Sequence, residues 1–136
     1  MRRIASVAGW TRTPLTFYFP IAGGTGSVEP VTDLDLGIHY TIESANYVLQ
    51  VAGVGSGGNR VLRILKGAST VVASVELAVA DATPIGKAIA LTVVAADANF
   101  EPGDLLSVEW DDAGAVAYTA GAGNLVIGIR SRPQTP

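Results

Sequence analysis

Arg60-Val61-Leu62-Arg63-Ile64-Leu65-Lys66-Gly67-Ala68-Ser69-Thr70-Val71-Val72-Ala73-Ser74-Val75-Glu76-Leu77 decides the fold. Arg60 to Lys66 reads as one strand and Lys66-Gly67-Ala68-Ser69 as a tight turn. After the turn, Val71, Ala73, Val75, Leu77 and Val79 share one face, while Ser74 and Glu76 take the other. A period of two with β-branched residues on the apolar side is the signature of a half-buried strand, so the stretch predicts an antiparallel pair.

The same pattern extends in both directions. Leu15-Thr16-Phe17-Tyr18-Phe19 predicts a first strand stopped by Pro20, and Gly23-Gly24-Thr25-Gly26-Ser27 a linker. Asn46 to Val54 alternates, with Tyr47, Leu49 and Val51 on one side. The glycines at 53, 55, 57 and 58 with Asn59 supply turn residues, so this segment and Arg60 to Lys66 predict a hairpin. Ala88 to Ala96 is apolar on both sides, as expected for a strand covered on both faces. Phe100-Glu101-Pro102-Gly103-Asp104 predicts a turn into Leu105 to Asp111, with Leu106, Val108 and Trp110 inward and Ser107 and Glu109 outward. Leu125, Ile127 and Ile129 give the last inward face, opposite Val126, Gly128 and Arg130.

Helical periodicity is not sustained anywhere. Short strands at this spacing predict an all-β chain, an antiparallel β-sandwich of jelly-roll or immunoglobulin-like type with seven or eight strands. The organisation expected is an N-terminal arm over 1–14, one sandwich domain over 15–130 and a tail over 131–136. A chain of 136 residues is long enough to build a core without staples, and it has no cysteine to make them.

Charged residues make up 15% of the chain, below the roughly 25% of an average soluble domain. Either a large core is present or part of the surface is covered by neighbours. The net charge of −3 is unevenly spread. Every acid falls between Glu29 and Asp112, whereas Arg2, Arg3 and Arg12 lie in the arm and Arg130 and Arg132 near the other end. Basic ends on an acidic body suit contact with nucleic acid or with the acidic face of a protein, or are simply soluble ends. Nucleic acid is the weaker partner, because no aromatic residues interleave with a basic patch. Trp10, beside Arg12, is a candidate anchor into a partner. The expected partner-binding residues are therefore Arg2, Arg3, Trp10, Arg12, Arg130 and Arg132.

Chemistry is harder to find. His39 is the lone histidine and no nucleophile motif adjoins it, which points away from a catalytic triad and from an enzyme. Zinc is not expected with one His and no Cys. Calcium could use Asp33 and Asp35, or Asp111 and Asp112, although solvated turn carboxylates fit these pairs better. No cofactor is expected. The uncharged stretch Ala113 to Ile129 is too short and glycine-rich to span a membrane. The apolar run before Arg12 is too short for a signal peptide, so neither a membrane nor export by that route is expected. A carbohydrate site would draw on Trp10, Tyr18, Tyr40, Tyr47, Trp110 or Tyr118, of which Tyr47 and Trp110 lie on apolar faces and are expected in the core.

From about Ile38 to Arg130 the order of segments resembles the small β-sandwich proteins of tailed-bacteriophage virions, which occur as capsid decoration (cement) proteins and as head or tail fibre domains. The resemblance rests on Tyr47-Val48-Leu49-Gln50-Val51, on Leu62-Arg63-Ile64-Leu65-Lys66-Gly67-Ala68-Ser69-Thr70 and on Phe100-Glu101-Pro102-Gly103-Asp104-Leu105-Leu106-Ser107-Val108. Gly67 and Ala68 depart from the Asn-Gly usual in that hairpin. The resemblance implies a non-enzymatic structural protein on the capsid surface, made in the host cytoplasm, forming a homo-oligomer, a trimer, and bound to the major capsid protein. The alternative it leaves is a fibre, tail or carbohydrate-recognition module. Decoration fits the short length, because no repetitive shaft is present.

Overall fold

Two antiparallel sheets with solvent outside and apolar side chains between them follow from the alternation just described, and the computed structural model has this architecture. It describes residues 14–23, 26–27, 33–55, 59–78, 85–112, 118–119 and 121–132. The first sheet has the order β1 (Pro14–Ile21), β12 (Gly123–Ser131), β3 (Tyr40–Leu49), β7 (Ala88–Ala90), with β9 (Asn99–Phe100) also paired to β3. The second has the order β2 (Gly26–Ser27), β10 (Leu106–Asp112), β5 (Asn59–Lys66), β6 (Thr70–Ala78), β8 (Thr92–Val93). A small ladder joins β4 (Val54–Gly55) to β11 (Tyr118–Thr119), and a single 3-10 turn spans Ala95–Asp97.

The core lies between the sheets. Ile42, Ala45, Tyr47 and Leu49 of β3 and Leu125, Ile127 and Ile129 of β12 face Leu62 and Ile64 of β5, Ala73 and Leu77 of β6 and Leu106, Val108 and Trp110 of β10. The inward sets expected on β10 and β12 are all buried. Tyr47 and Trp110 meet edge to face across the sandwich, with centroids 5.6 Å apart at 86°, the geometry that ring quadrupoles favour.

Several expectations change in detail. The strands are more numerous than seven or eight because the sheet edges are broken into pieces of two or three residues. The hairpin between Asn46–Val54 and Arg60–Lys66 does not form: β3 ends at Leu49 in the first sheet, Val51 is exposed, and β5 belongs to the second sheet. Of its glycines, Gly53 and Gly55 lie on the path that leaves the first sheet, where Val54–Gly55 pairs with β11, and residues 56–58 lie outside the described residues. Ala88 to Ala96 is not a strand covered on both faces. Ala88–Ala90 pairs with β3, Leu91 turns into the core, and Thr92–Val93 pairs with β6, so the segment switches sheets along one flank. The supposed linker contributes β2, whose Gly26 and Ser27 pair with Trp110 and Glu109. Pro20 does not stop β1, which continues to Ile21 opposite Gly123. A proline fits a paired strand where its nitrogen faces away from the partner, and β1 is an edge strand.

Two register shifts change the phase of the pattern. On β3, Ile42 pairs with Ile129 and Ser44 with Gly128, which leaves Glu43 as the extra residue and both Glu43 and Ser44 exposed. On β6, Ala73 pairs with Ile64 and Val71 with Leu65, so Val72 is extra, and it is buried beside Ala73. Such bulges twist a strand and re-aim its side chains. The Lys66-Gly67-Ala68-Ser69 turn forms where expected, with Lys66 opposite Thr70.

Candidate functional site

The two outer faces are built from opposite materials. On the second sheet, the row Glu109–Arg63–Ser74–Thr92 crosses four strands, and Asp111–Val61–Glu76 lies beside it. The Arg63 guanidinium donates to Glu109 at 3.3 Å and also pairs with Asp111. Asp33 reaches the same face, where the Ser107 hydroxyl donates to its carboxylate at 3.1 Å. Acids therefore outnumber Arg63 on this face, and an open cleft of about 220 Å³ lined by Asp33, Leu65, Gly67, Ala68, Ser107, Val108 and Glu109 adjoins it.

The outer face of the first sheet has almost no charge. Its rows run Thr16–Gly128–Ser44, then Tyr18–Val126–Asn46–Ala90, then Pro20–Asn124–Val48–Ala88. On the paired positions of this face only Arg130 is charged, and it lies at one end with its Nε donating to the bulge residue Glu43 at 3.0 Å. Tyr18 is 70% exposed at the β1 edge, and Ala88 and Ala90 are exposed at the β7 edge. The Ser44 hydroxyl lies 2.5 Å from where a Cβ on Gly128 would stand, so the middle of the face is low. Its relief descends from an aromatic ridge on one side to alanines on the other.

A third group closes one end of the sandwich. Arg132 donates from Nη2 to the Phe100 carbonyl at 2.7 Å and to Glu101 at 3.2 Å, and Glu101 also pairs with His39. Tyr40 stacks on Phe100 at 4.7 Å, and the Lys66 ammonium sits over the Phe100 ring, 5.5 Å from its centroid. Burial, and after it the negative charges of Asp104 and Asp35, raise the Tyr40 phenol well above its ordinary value, so its hydroxyl stays protonated. That hydroxyl and the Arg132 Nε are buried without a hydrogen-bond partner among the described residues. His39 is thus engaged by a carboxylate that an arginine also holds, an arrangement that clasps β12 to the turn after β9.

The sequence-expected partner residues separate into two groups. Arg2, Arg3, Trp10 and Arg12 lie outside the described residues. Arg130 and Arg132, which have no acid near them in sequence, acquire Glu43 and Glu101 in space because antiparallel pairing lays β3 along β12 and the 99–101 segment beside it. Of the aromatics considered for a sugar, Tyr40, Tyr47 and Trp110 are buried and Tyr18 stands free on the uncharged face.

Three of the four candidate calcium carboxylates have protein partners, and the Asp112 side chain lies outside what the structure describes. Asp35 accepts from the amides of Gly37 at 2.8 Å and Gly103 at 3.1 Å, Asp33 holds Ser107 and Asp111 holds Arg63. Among the described residues no group of three His, Cys, Asp or Glu could take a metal ion. Thermal unfolding with and without a chelator is expected to give the same midpoint. A fall of about 5 °C, worth more than about 1 kcal/mol for a chain of this size, would mean that bound calcium contributes to the fold.

Among the described residues no helix is long and apolar enough to cross a membrane. The chain matches no protein-family model, no curated protein and no solved structure.

Proposed function

We propose that this chain is a non-enzymatic structural protein of a tailed-phage virion, a capsid decoration protein that stabilises the head by packing against the major capsid protein and against copies of itself. The observation that carries the reading is the contrast between the two outer faces. One is solvated by Asp33, Glu76, Glu109, Asp111 and Arg63, while the other presents tyrosine, prolines, small residues and amides over four strands. A monomer of low charge gains nothing from segregating its charge in this way, whereas a subunit that spends its life against neighbours does. The resemblance of the sequence segments and turns between about Ile38 and Arg130 to virion sandwich proteins suggests the identity of those neighbours. The basic arm, with Arg2, Arg3, Trp10 and Arg12 and no acid, suits attachment to an acidic protein surface.

The test uses undecorated heads of a tailed phage whose head genes flank the reading frame. The full chain is expected to co-sediment with them. Deletion of Met1 to Arg12 is expected to abolish co-sedimentation while the far-ultraviolet circular dichroism of the body is unchanged. Binding at full occupancy and full salt resistance after the deletion would place attachment on the sandwich faces. Absence of binding by the full chain would overturn the decoration reading.

A further inference from the structure

We infer that the uncharged outer face of the first sheet is the contact between two copies of this chain, packed face to face about a twofold axis. The inference deepens the assembly reading above and rests on it only for the expectation that copies meet. It replaces the threefold arrangement that the resemblance implies, because one face that meets itself is an isologous contact, which only a twofold generates.

The relief of the face determines the geometry. The strand order β1-β12-β3-β7 puts the Tyr18 ridge on one flank and Ala88 and Ala90 on the other, in rows fixed by register. A twofold axis lying between the faces and running along the strands exchanges the flanks. Each copy's β1 then lies over its partner's β7, and residues of one row meet residues of the same row. Tyr18 comes down over the partner's Ala90, and Pro20 over its Ala88. Val126, Asn46, Asn124 and Val48, all half-buried, fill the middle over one another.

Charge selects the occupant. A second copy brings no net charge to this face, and the Arg130–Glu43 pair at its end is neutral as a unit. The same two copies meeting through their second sheets would oppose Asp33, Glu76, Glu109 and Asp111 to themselves, with Arg63 as the counter-charge. A strongly charged partner would find nothing to pair with on the first sheet.

The area is sufficient for a weak specific dimer. Four strands about 4.8 Å apart, of 8, 9, 10 and 3 residues, cover on the order of 500 Å² per copy, so the pair buries about 1,000 Å², the lower end for a biological interface. Affinity is therefore expected in the micromolar range.

The experiment needs only the full chain in solution, so its outcome is independent of capsid binding. Light scattering is expected to show the mass rising from one chain to two between about 1 and 100 µM. Tyr18→Asp, on an exposed side chain, is expected to remain one chain across that range with an unchanged melting temperature. Because the chain has no cysteine, Pro20→Cys and Ala88→Cys can be made as separate single variants. Mixed together, they are expected to join through a short bis-maleimide linker, whereas neither cross-links alone, since each site lies about 14 Å across the face from its own symmetry mate. A wild-type mass of one or three chains at about 100 µM overturns the inference. So does a dimer that survives Tyr18→Asp or gives no cross-link in the mixture. A full chain that stays monomeric beside a truncated chain, lacking Met1 to Arg12, that dimerises overturns it as well and assigns the face to the arm.

Discussion

Trp110→Ala is expected to cost about 3 to 5 kcal/mol of stability, read as a lower urea midpoint at unchanged slope. The indole is 3% exposed, meets Tyr47 edge to face and donates from Nε1 to the Ala22 carbonyl at 3.1 Å. Its loss therefore opens a cavity in the middle of the core, removes an aromatic pair and leaves a carbonyl after β1 without that donor. The Ala22 bond also ties the exit of the first sheet to β10 of the second, so the damage reaches both layers. A loss under about 1 kcal/mol would mean that the Trp110 side chain does not occupy the core.

Gly121→Ala is expected to cost about 3 kcal/mol or more, through crowding instead of a void. A Cβ there would stand 1.7 Å from the Val51 carbonyl oxygen and 2.8 Å from its carbon. These are backbone atoms, which cannot rotate aside. The amides of Gln50 and Val51 both donate to the Ala122 carbonyl, at 2.9 and 3.0 Å, and the Gly121 carbonyl accepts from the buried Tyr47 hydroxyl at 2.6 Å. Separating the strands to admit a methyl group would strain all three bonds. Gly67→Ala is the control: its φ is +69° but nothing lies within 4 Å of a Cβ, so only the left-handed backbone is penalised, by about 1 kcal/mol. Equal losses at the two positions would show that the approach of residue 121 to Val51 is not close.

What was legible in the sequence follows from how regular each strand is. Leu106, Val108 and Trp110, and Leu125, Ile127 and Ile129, could be read because β10 and β12 run through the middle of their sheets without interruption. The start of β3 at Tyr40 could not, since the bulge at Glu43 puts two polar residues side by side and breaks a period of two. Glu43-Ser44 between Ile42 and Ala45 is in retrospect the signature of that bulge. The crossing after Leu49 carries the same glycines and asparagine as a hairpin loop, and composition does not say which sheet the next strand joins. Alanines at 88 and 90 look like core residues in a linear reading, yet they sit on an outer face. That face was illegible for a further reason. Residues 18, 126, 46 and 90 become neighbours only once the order of strands is known, and no periodicity within one segment contains it.

The phase of β1 bears on whether a further strand can add to this sheet edge. Pro14, Thr16, Tyr18 and Pro20 share one phase of the strand, and because a proline nitrogen must face away from β12, all four nitrogens of that phase point to the open side of the sheet. Two of the four carry no hydrogen. The other open edges of the two sheets among the described residues, β7, β9, β2 and β8, are only 3, 2, 2 and 2 residues long. A fibril grows by adding strand to strand along an uninterrupted row of donors and acceptors, and no long row of that kind is present at the open edges among the described residues. A chain this poor in charge is therefore guarded at its described strand edges against open-ended strand addition.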